Sequence, residues 1–156
     1  METETNSNQA TASVVRLHVW LFGGFRVTTE GDTPLVFSQR KLMALLAYLA
    51  LQPDRMHSRD NLIGLLWPDM PEDKARVSLR VALNTLRKTL QVTGLVDDLL
   101  QTTRTSVAWG QHEQVAVDVL QFGSHVQRGA LPQALTLYRG SLLDGLYLDD
   151  CPAFDE

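Results

Sequence analysis

Five cations crowd one short stretch, 71–91 (PEDKARVSLRVALNTLRKTLQ), and they are the residues whose types and spacing could do chemistry. They are Lys74, Arg76, Arg80, Arg87 and Lys88, set against only two acids, Glu72 and Asp73. At about 100° per residue, Ala75, Leu79, Ala82, Leu83, Leu86 and Leu90 gather in one apolar stripe that needs a core. The opposite side carries Lys74, Val77, Val81, Asn84, Thr85 and Lys88, with Arg80 and Arg87 on its flank and Ser78 on the other shoulder. A helix buried by one face, with cations, an amide, hydroxyls and small apolar groups on the other, fits a DNA major groove. The competing use is a solvated face, and the neighbouring elements decide between the two. Arg76 lies nearer the stripe, so an ion pair with Asp73 or Glu72 is its expected use.

Catalytic and metal chemistry finds no foothold. The chain has no GxxxxGK[ST] phosphate loop, its four histidines (His18, His57, His112, His125) stand singly, and Cys151 is the one cysteine. The pairs Asp97–Asp98 and Asp149–Asp150 are sequence neighbours, which point apart on a helix or strand. No catalytic residue, metal, cofactor or small-molecule ligand is expected, and the chain does not read as an enzyme.

Stepping from those side chains to the elements that must hold them, 156 residues suffice for one sizeable domain, or a small one and part of a second. A 44% hydrophobic and 21% charged composition excludes a disordered or fibrous chain. A single cysteine cannot form an internal disulfide, which points to a reducing, cytoplasmic compartment. No apolar run approaches the roughly 18 residues of a membrane span. Residues 1–13 are polar and acidic, unlike a secretion signal, and read as a disordered tail. Charge is unevenly placed: 39–91 holds nine bases and five acids, whereas the rest holds five bases and thirteen acids. A basic middle in an acidic chain of pI near 5.5 argues for a local anionic partner.

Residues 14–37 are rich in β-branched and aromatic types broken by Gly23-Gly24 and Glu30-Gly31-Asp32, predicting a small antiparallel sheet with a turn at Gly31 and Trp20 in its core. Ser38 is placed to cap a helix over 39–52 with Leu42, Leu45, Leu46 and Leu49 as its stripe; Arg40 and Lys41 in its first turn oppose the helix dipole and so favour phosphate contact. Ser58 caps a second helix from Arg59 to Trp67, and Asp69 with Glu72 reads as a capping box for the long basic helix. Two short helices separated by a tight, proline-marked turn and followed by a longer basic helix make a helix-turn-helix pattern. Strands over 99–103 and 105–109, with Arg104 at their junction, add a wing, and Trp109 is assigned to the core. After about residue 116 the pattern becomes helical: 118–127, a Gly-Ala-Leu-Pro break, then 133–138, packed as a hairpin through Val119, Phe122, Val126, Ala134, Leu135 and Tyr138. Two helices alone leave apolar surface uncovered, so further helices are expected beyond this chain. The fold class is thus α+β: an N-terminal antiparallel sheet, three helices and a wing over 14–116, then an all-α, repeat-like segment over 117–156.

The runs LHVWLFGGFRV, RKLMALLAYLA, LLWPD, LRVALNTLRKTL and VDVLQF, in this order over roughly residues 16–154, resemble the Streptomyces antibiotic regulatory proteins. Those regulators pair an OmpR-like winged helix with a helical bacterial transcriptional activation domain. The resemblance implies activation of transcription from direct repeats near promoters, often as a dimer on double-stranded DNA, and contact with RNA polymerase. It implies that Val77, Ser78, Arg80, Val81, Asn84, Thr85, Arg87 and Lys88 face bases or phosphates, that Trp67 offers its indole N–H to a phosphate, and that Arg104 is the wing contact. Val81 and Thr85 depart from the longer polar groups common there, and AWGQHEQ departs from the usual Gly-Tyr wing turn. In this reading Arg80, Asn84 and Arg87 bond base edges, Val77 or Val81 meets a thymine methyl, and Arg40, Lys41, Ser58, Arg59, Trp67 and Lys88 fix register on phosphates. The alternative is a helical protein–protein interaction module over 117–156 in which the winged helix is an adaptor.

Overall fold

The computed structural model describes residues 15–146, 148 and 154. The expected tail, Cys151 and the Asp149–Asp150 pair lie outside them. Strands β1 (Leu17–Trp20) and β2 (Arg26–Thr29) pair antiparallel with Val19 opposite Val27, around a turn in which Gly23 and Gly24 take positive φ. Beyond β2 the chain reverses at Gly31 (φ 82°), and Leu35 N–H returns to Val27 O at 2.8 Å, as the Glu-Gly-Asp run predicts. The sheet is nevertheless mixed. Its third member, β6 (Val115–Val117), runs parallel to β1, with Leu17 beside Val115 and Val19 beside Val117. Three residues carry too little periodicity to announce a strand.

Helix α1 (Arg40–Ala50) buries Leu42, Leu45, Leu46 and Leu49, the expected stripe, together with Ala44, Ala47 and Ala50. Its N-cap is Gln39 in extended backbone, with no side-chain bond, so Ser38 is not the cap. Helix α2 (Arg59–Leu66) is capped as predicted, Ser58 Oγ accepting from Asn61 N–H at 3.0 Å. Helix α3 (Glu72–Leu90) buries the six predicted stripe residues and no others. The Asp69–Glu72 capping box does not form. Pro71 occupies the N-cap, which leaves Asp69 outside the first turn, and the Glu72 carboxylate instead meets Arg76 Nη2 at 2.6 Å. Each fully buried leucine contributes about 1.5–3 kcal/mol of transfer free energy, and those of α1 and α3 meet in one core with Trp109 at 2% exposure.

A second three-stranded sheet carries the wing. Strands β4 (Leu100–Thr102) and β5 (Ser106–Trp109) pair with Thr102 opposite Val107, leaving 103–105 at the tip. Strand β3 (Met56–Ser58), in a stretch the sequence reading gave to the interhelical turn, pairs with β5 and so ties α2 to the wing root. Between α3 and β4 lie a 3-10 turn (Gln91–Thr93) and the four-residue α4 (Val96–Leu99), which hydrophobic period alone does not resolve.

Helix α5 (Asp118–Gln127) has its predicted bounds. Helix α6 (Leu131–Leu137) begins two residues early, because Pro132 sits in its first turn, where a missing N–H costs nothing, and opens the helix instead of breaking it. The two helices pack on each other. Val126, Leu135 and Tyr138, however, are 43%, 68% and 53% exposed, so they do not form the hairpin's inner face. The expected boundary at 116 falls inside β6. The Asp118 carboxylate, fully buried, accepts from Leu21 N–H (2.9 Å), Phe22 N–H (3.0 Å) and Val119 N–H (2.8 Å), binding α5 to the end of β1. Trp20 is also not core: half-buried, it stacks on His18 at 3.5 Å and lies 4.8 Å from each of the Arg26 and Arg139 guanidiniums. Among the described residues no helix is long and apolar enough to cross a membrane, and no group of three candidate ligands could hold a metal.

Candidate nucleic-acid interface

Because α3 buries one complete side, its other side stands open. Lys74, Val77, Arg80, Val81, Asn84 and Lys88 are exposed, the two valines at 47% and 56%. Arg80, Asn84 and Lys88 recur at four-residue spacing, which places them in one row along the helix surface. None of their side chains, nor that of Lys74, bonds to another described residue. The hydroxyls on this side are different. Thr85 Oγ1 donates to Val81 O at 2.9 Å, and Ser78 Oγ meets Met70 Sδ at 3.3 Å.

Arg87 leaves the predicted base-facing set. Its Nη2 donates to Leu100 O (3.0 Å) and Thr102 Oγ1 (2.8 Å), and its Nη1 lies 3.7 Å from Asp97, so the guanidinium fastens α3 to β4. The cause is its place one residue after Leu86 and four after Leu83, at the border of the buried stripe, where the wing root covers it. Arg59 is used in the same manner: its Nε and Nη2 both donate to Thr103 O, at 3.1 and 2.8 Å, and hold the wing tip. Arg76 is taken by Glu72 at 2.6 Å, one of the two partners the sequence predicts, and also by Asp60 at 3.6 Å, which it does not; the hydrogen bond to Glu72 holds its guanidinium above the ordinary pKa. Arg59 and Arg76 line a recess of about 280 Å³ that also receives Arg80 and Arg104. Of these four, Arg80 and the exposed tip residue Arg104 make no side-chain bond to another described residue.

On the other flank the start of α1 approaches α3. Ser38, Gln39, Lys41, Trp67, Val77, Ser78, Val81 and Thr85 line a second recess of about 250 Å³. Lys41 Nζ stands 5.6 Å over the Trp67 ring, which is 7% exposed and forms a platform beneath the cation. Arg40 is exposed one residue before it. Ser58 has its hydroxyl oxygen engaged as the α2 cap. The structure thus brings Lys41, Trp67, Lys74, Arg80, Asn84, Lys88 and Arg104 to the open α3 face or the recesses beside it, with Val77 and Val81 between them and Arg40 exposed at the start of α1. It turns Arg59 and Arg87 to internal duties. Sequence reasoning missed the acceptors that claim them, Leu100 O, Thr102 and Thr103, which lie 13, 15 and 44 residues away in sequence. No local spacing signals such partners.

Residues 33–106 match the family described as transcriptional regulatory protein, C terminal. The chain is 35% identical over 80 residues to the transcriptional regulatory protein EmbR of Mycobacterium bovis, and equally to that of Mycobacterium tuberculosis; the alignment spans 51% of this chain and 20% of each relative. A solved structure described as Mycobacterium tuberculosis EmbR in complex with low affinity phosphopeptide superposes with a TM-score of 0.72 at 26% identity, over 90% of this chain and 40% of that one. The chain therefore spans about a fifth of the length of the curated relatives it matches. With its core-packed α3 and β3-supported wing, the chain is similar over residues 33–106 to the C-terminal domain of transcriptional regulatory proteins, and in fold and sequence it is similar to EmbR.

Proposed function

We propose that this chain binds double-stranded DNA sequence-specifically and activates transcription in the cytoplasm from direct-repeat promoter sites, with α3 in the major groove. Contact with RNA polymerase completes the activating role, and two copies on adjacent repeats act as a dimer on DNA. The observation that carries this reading is the row Arg80, Asn84 and Lys88: exposed and unspent, on a helix whose opposite face is fully buried. Guanidinium and amide groups so placed pair with base edges, Arg with guanine and Asn with adenine. Arg40, Lys41, Trp67, Lys74, Lys88 and Arg104 fix register on phosphates, while Ser58, Arg59 and Arg87 hold the elements that present them.

The test is selection from a random duplex pool, followed by titration of the enriched sequences from low to physiological salt. With about five phosphate contacts, log affinity falls against log salt with a slope of about −4 to −5. Failure to enrich any motif, with weak and salt-independent binding, rejects the reading. A second reading, a protein adaptor acting through the helical segment, is favoured by one observation: Leu131, Leu135, Tyr138 and Leu142 expose 57%, 68%, 53% and 49% of their surface. An adaptor of that kind shows no duplex affinity at any salt.

A further inference from the structure

The open face of α3 is two rows, not one mixed surface. Arg80, Asn84 and Lys88 form the polar row. Beside it run Val77, Val81 and Thr85, again at four-residue spacing, so each is the neighbour of the next along the helix. Thr85 joins this second row through its methyl group, because its hydroxyl hydrogen is spent on Val81 O at 2.9 Å. With Oγ1 turned back to the helix backbone, the γ-methyl of this half-buried residue takes a separate staggered position beside it. Val77 and Val81 stay 47% and 56% exposed, although Trp67 and Leu42 lie in the floor of the same recess. Nothing in this row has a free hydrogen to donate to a base edge, and only the Thr85 oxygen keeps lone pairs that could accept one. The one feature of the major groove that such a row recognises is the 5-methyl group of a pyrimidine.

Resting on the DNA-binding reading above, we infer that Val77, Val81 and Thr85 form a methyl ridge that makes the protein specific for sites with thymines at the centre of each half-site. The residues are about 6 Å apart along the helix, and successive bases of one strand about 3.4 Å apart, so the ridge covers three to four base steps. The polar row reads the bases beside them. Specificity is divided: hydrogen bonds along one line, methyl contacts along the other.

The experiment uses the duplex enriched by selection and replaces its thymidines one at a time with deoxyuridine, which deletes the 5-methyl group and leaves every hydrogen-bonding atom. The 156-residue protein and its variants Val77→Ala, Val81→Ala and Thr85→Ser are titrated against each duplex, with thermal melting to confirm that each variant is folded. Each lost methyl contact weakens binding by the parent protein about fourfold, from the transfer free energy of one CH₂-sized group. The variants lose that sensitivity at different thymines, ordered along the site as 77, 81 and 85 are ordered along the helix. A duplex bound tightly, steeply in salt and indifferently to uracil overturns the ridge and leaves the DNA-binding reading standing. Uracil penalties that persist unchanged in all three variants overturn it also, since the methyls are then sensed elsewhere. If the pool yields no enriched duplex, the DNA-binding reading falls and the ridge with it.

Discussion

Arg80 and Arg87 are seven residues apart, which puts them within about 20° of each other around α3 and about 10 Å apart along it. By helical projection they are one kind of residue in one place. The molecule uses them oppositely. Over the C-terminal half of α3 lies β4, offering Leu100 O and the Thr102 hydroxyl, and Arg87 is held there by two hydrogen bonds. Over the N-terminal half the wing has already turned at its tip, and Arg80 borders an open recess with Arg104. What separates a structural arginine from a reading arginine here is the element above it, not its angle on the helix. Polar atoms spent inside the protein hold it together, and unspent ones are available to a ligand.

The most completely spent side chain should therefore cost most to remove. Asp118 is fully buried, and its two oxygens accept three backbone N–H groups. Asp118→Ala leaves buried donors on Leu21 and Phe22 without an acceptor, a loss of about 3 kcal/mol in urea unfolding. Asp118→Asn keeps one acceptor oxygen and recovers part of it. A loss below about 1 kcal/mol would mean that water replaces the carboxylate at no expense, and spent would then carry no energetic meaning.

The two arginines give the direct contrast. Arg87→Ala removes two charge-assisted hydrogen bonds at a half-buried site and lowers stability by about 2 kcal/mol. Arg80→Ala, with no partner to strand, stays within about 0.5 kcal/mol in stability but weakens specific DNA binding by about 1–3 kcal/mol. Unfolding curves and a titration at fixed salt on the same two proteins decide the matter. Equal stability losses would erase the distinction, and unchanged affinity in Arg80→Ala would remove Arg80 from the interface.

That contrast also marks how far the sequence reaches. The buried stripe of α3, the Ser58 cap, the wing with Arg104 at its tip and the start of α5 are local: each follows from a period or a neighbour within four residues. The open face followed from the stripe as its complement. What was not legible depends on distant pairing. The parallel β1–β6 contact joins residues about a hundred apart, and three residues of β6 hold no pattern of their own. Arg59 and Arg87 meet their acceptors only once the wing has folded back on α2 and α3. Ser38 failed as a cap for a smaller reason: the helix starts one residue later than its position requires.

The smallest expected effect lies at the wing root, beneath Arg87's anchorage. His57, on β3 opposite Val107, is 5% exposed, its ring 5.1 Å from Tyr48 and its Nε2 without a partner. Burial, and secondarily the nearby Arg55 charge, hold its pKa below the ordinary 6.5. The unfolded chain protonates at the ordinary value and the folded chain only further down, so below 6.5 the unfolded state binds more protons. Stability then falls as the pH drops through that window and is flat above it. His18, whose pKa burial also lowers, adds the same sign. Urea midpoints taken at about pH 7.5 and pH 5.5 should therefore converge partly, not wholly, in His57→Phe, which keeps the ring against Tyr48 and loses the proton. Arg80→Ala should keep the full acid sensitivity, since it touches nothing at the root. If His57→Phe is as acid-sensitive as the parent, the wing root tolerates a charged imidazole, and the dry, fully committed side of the comparison is wetter than its burial implies.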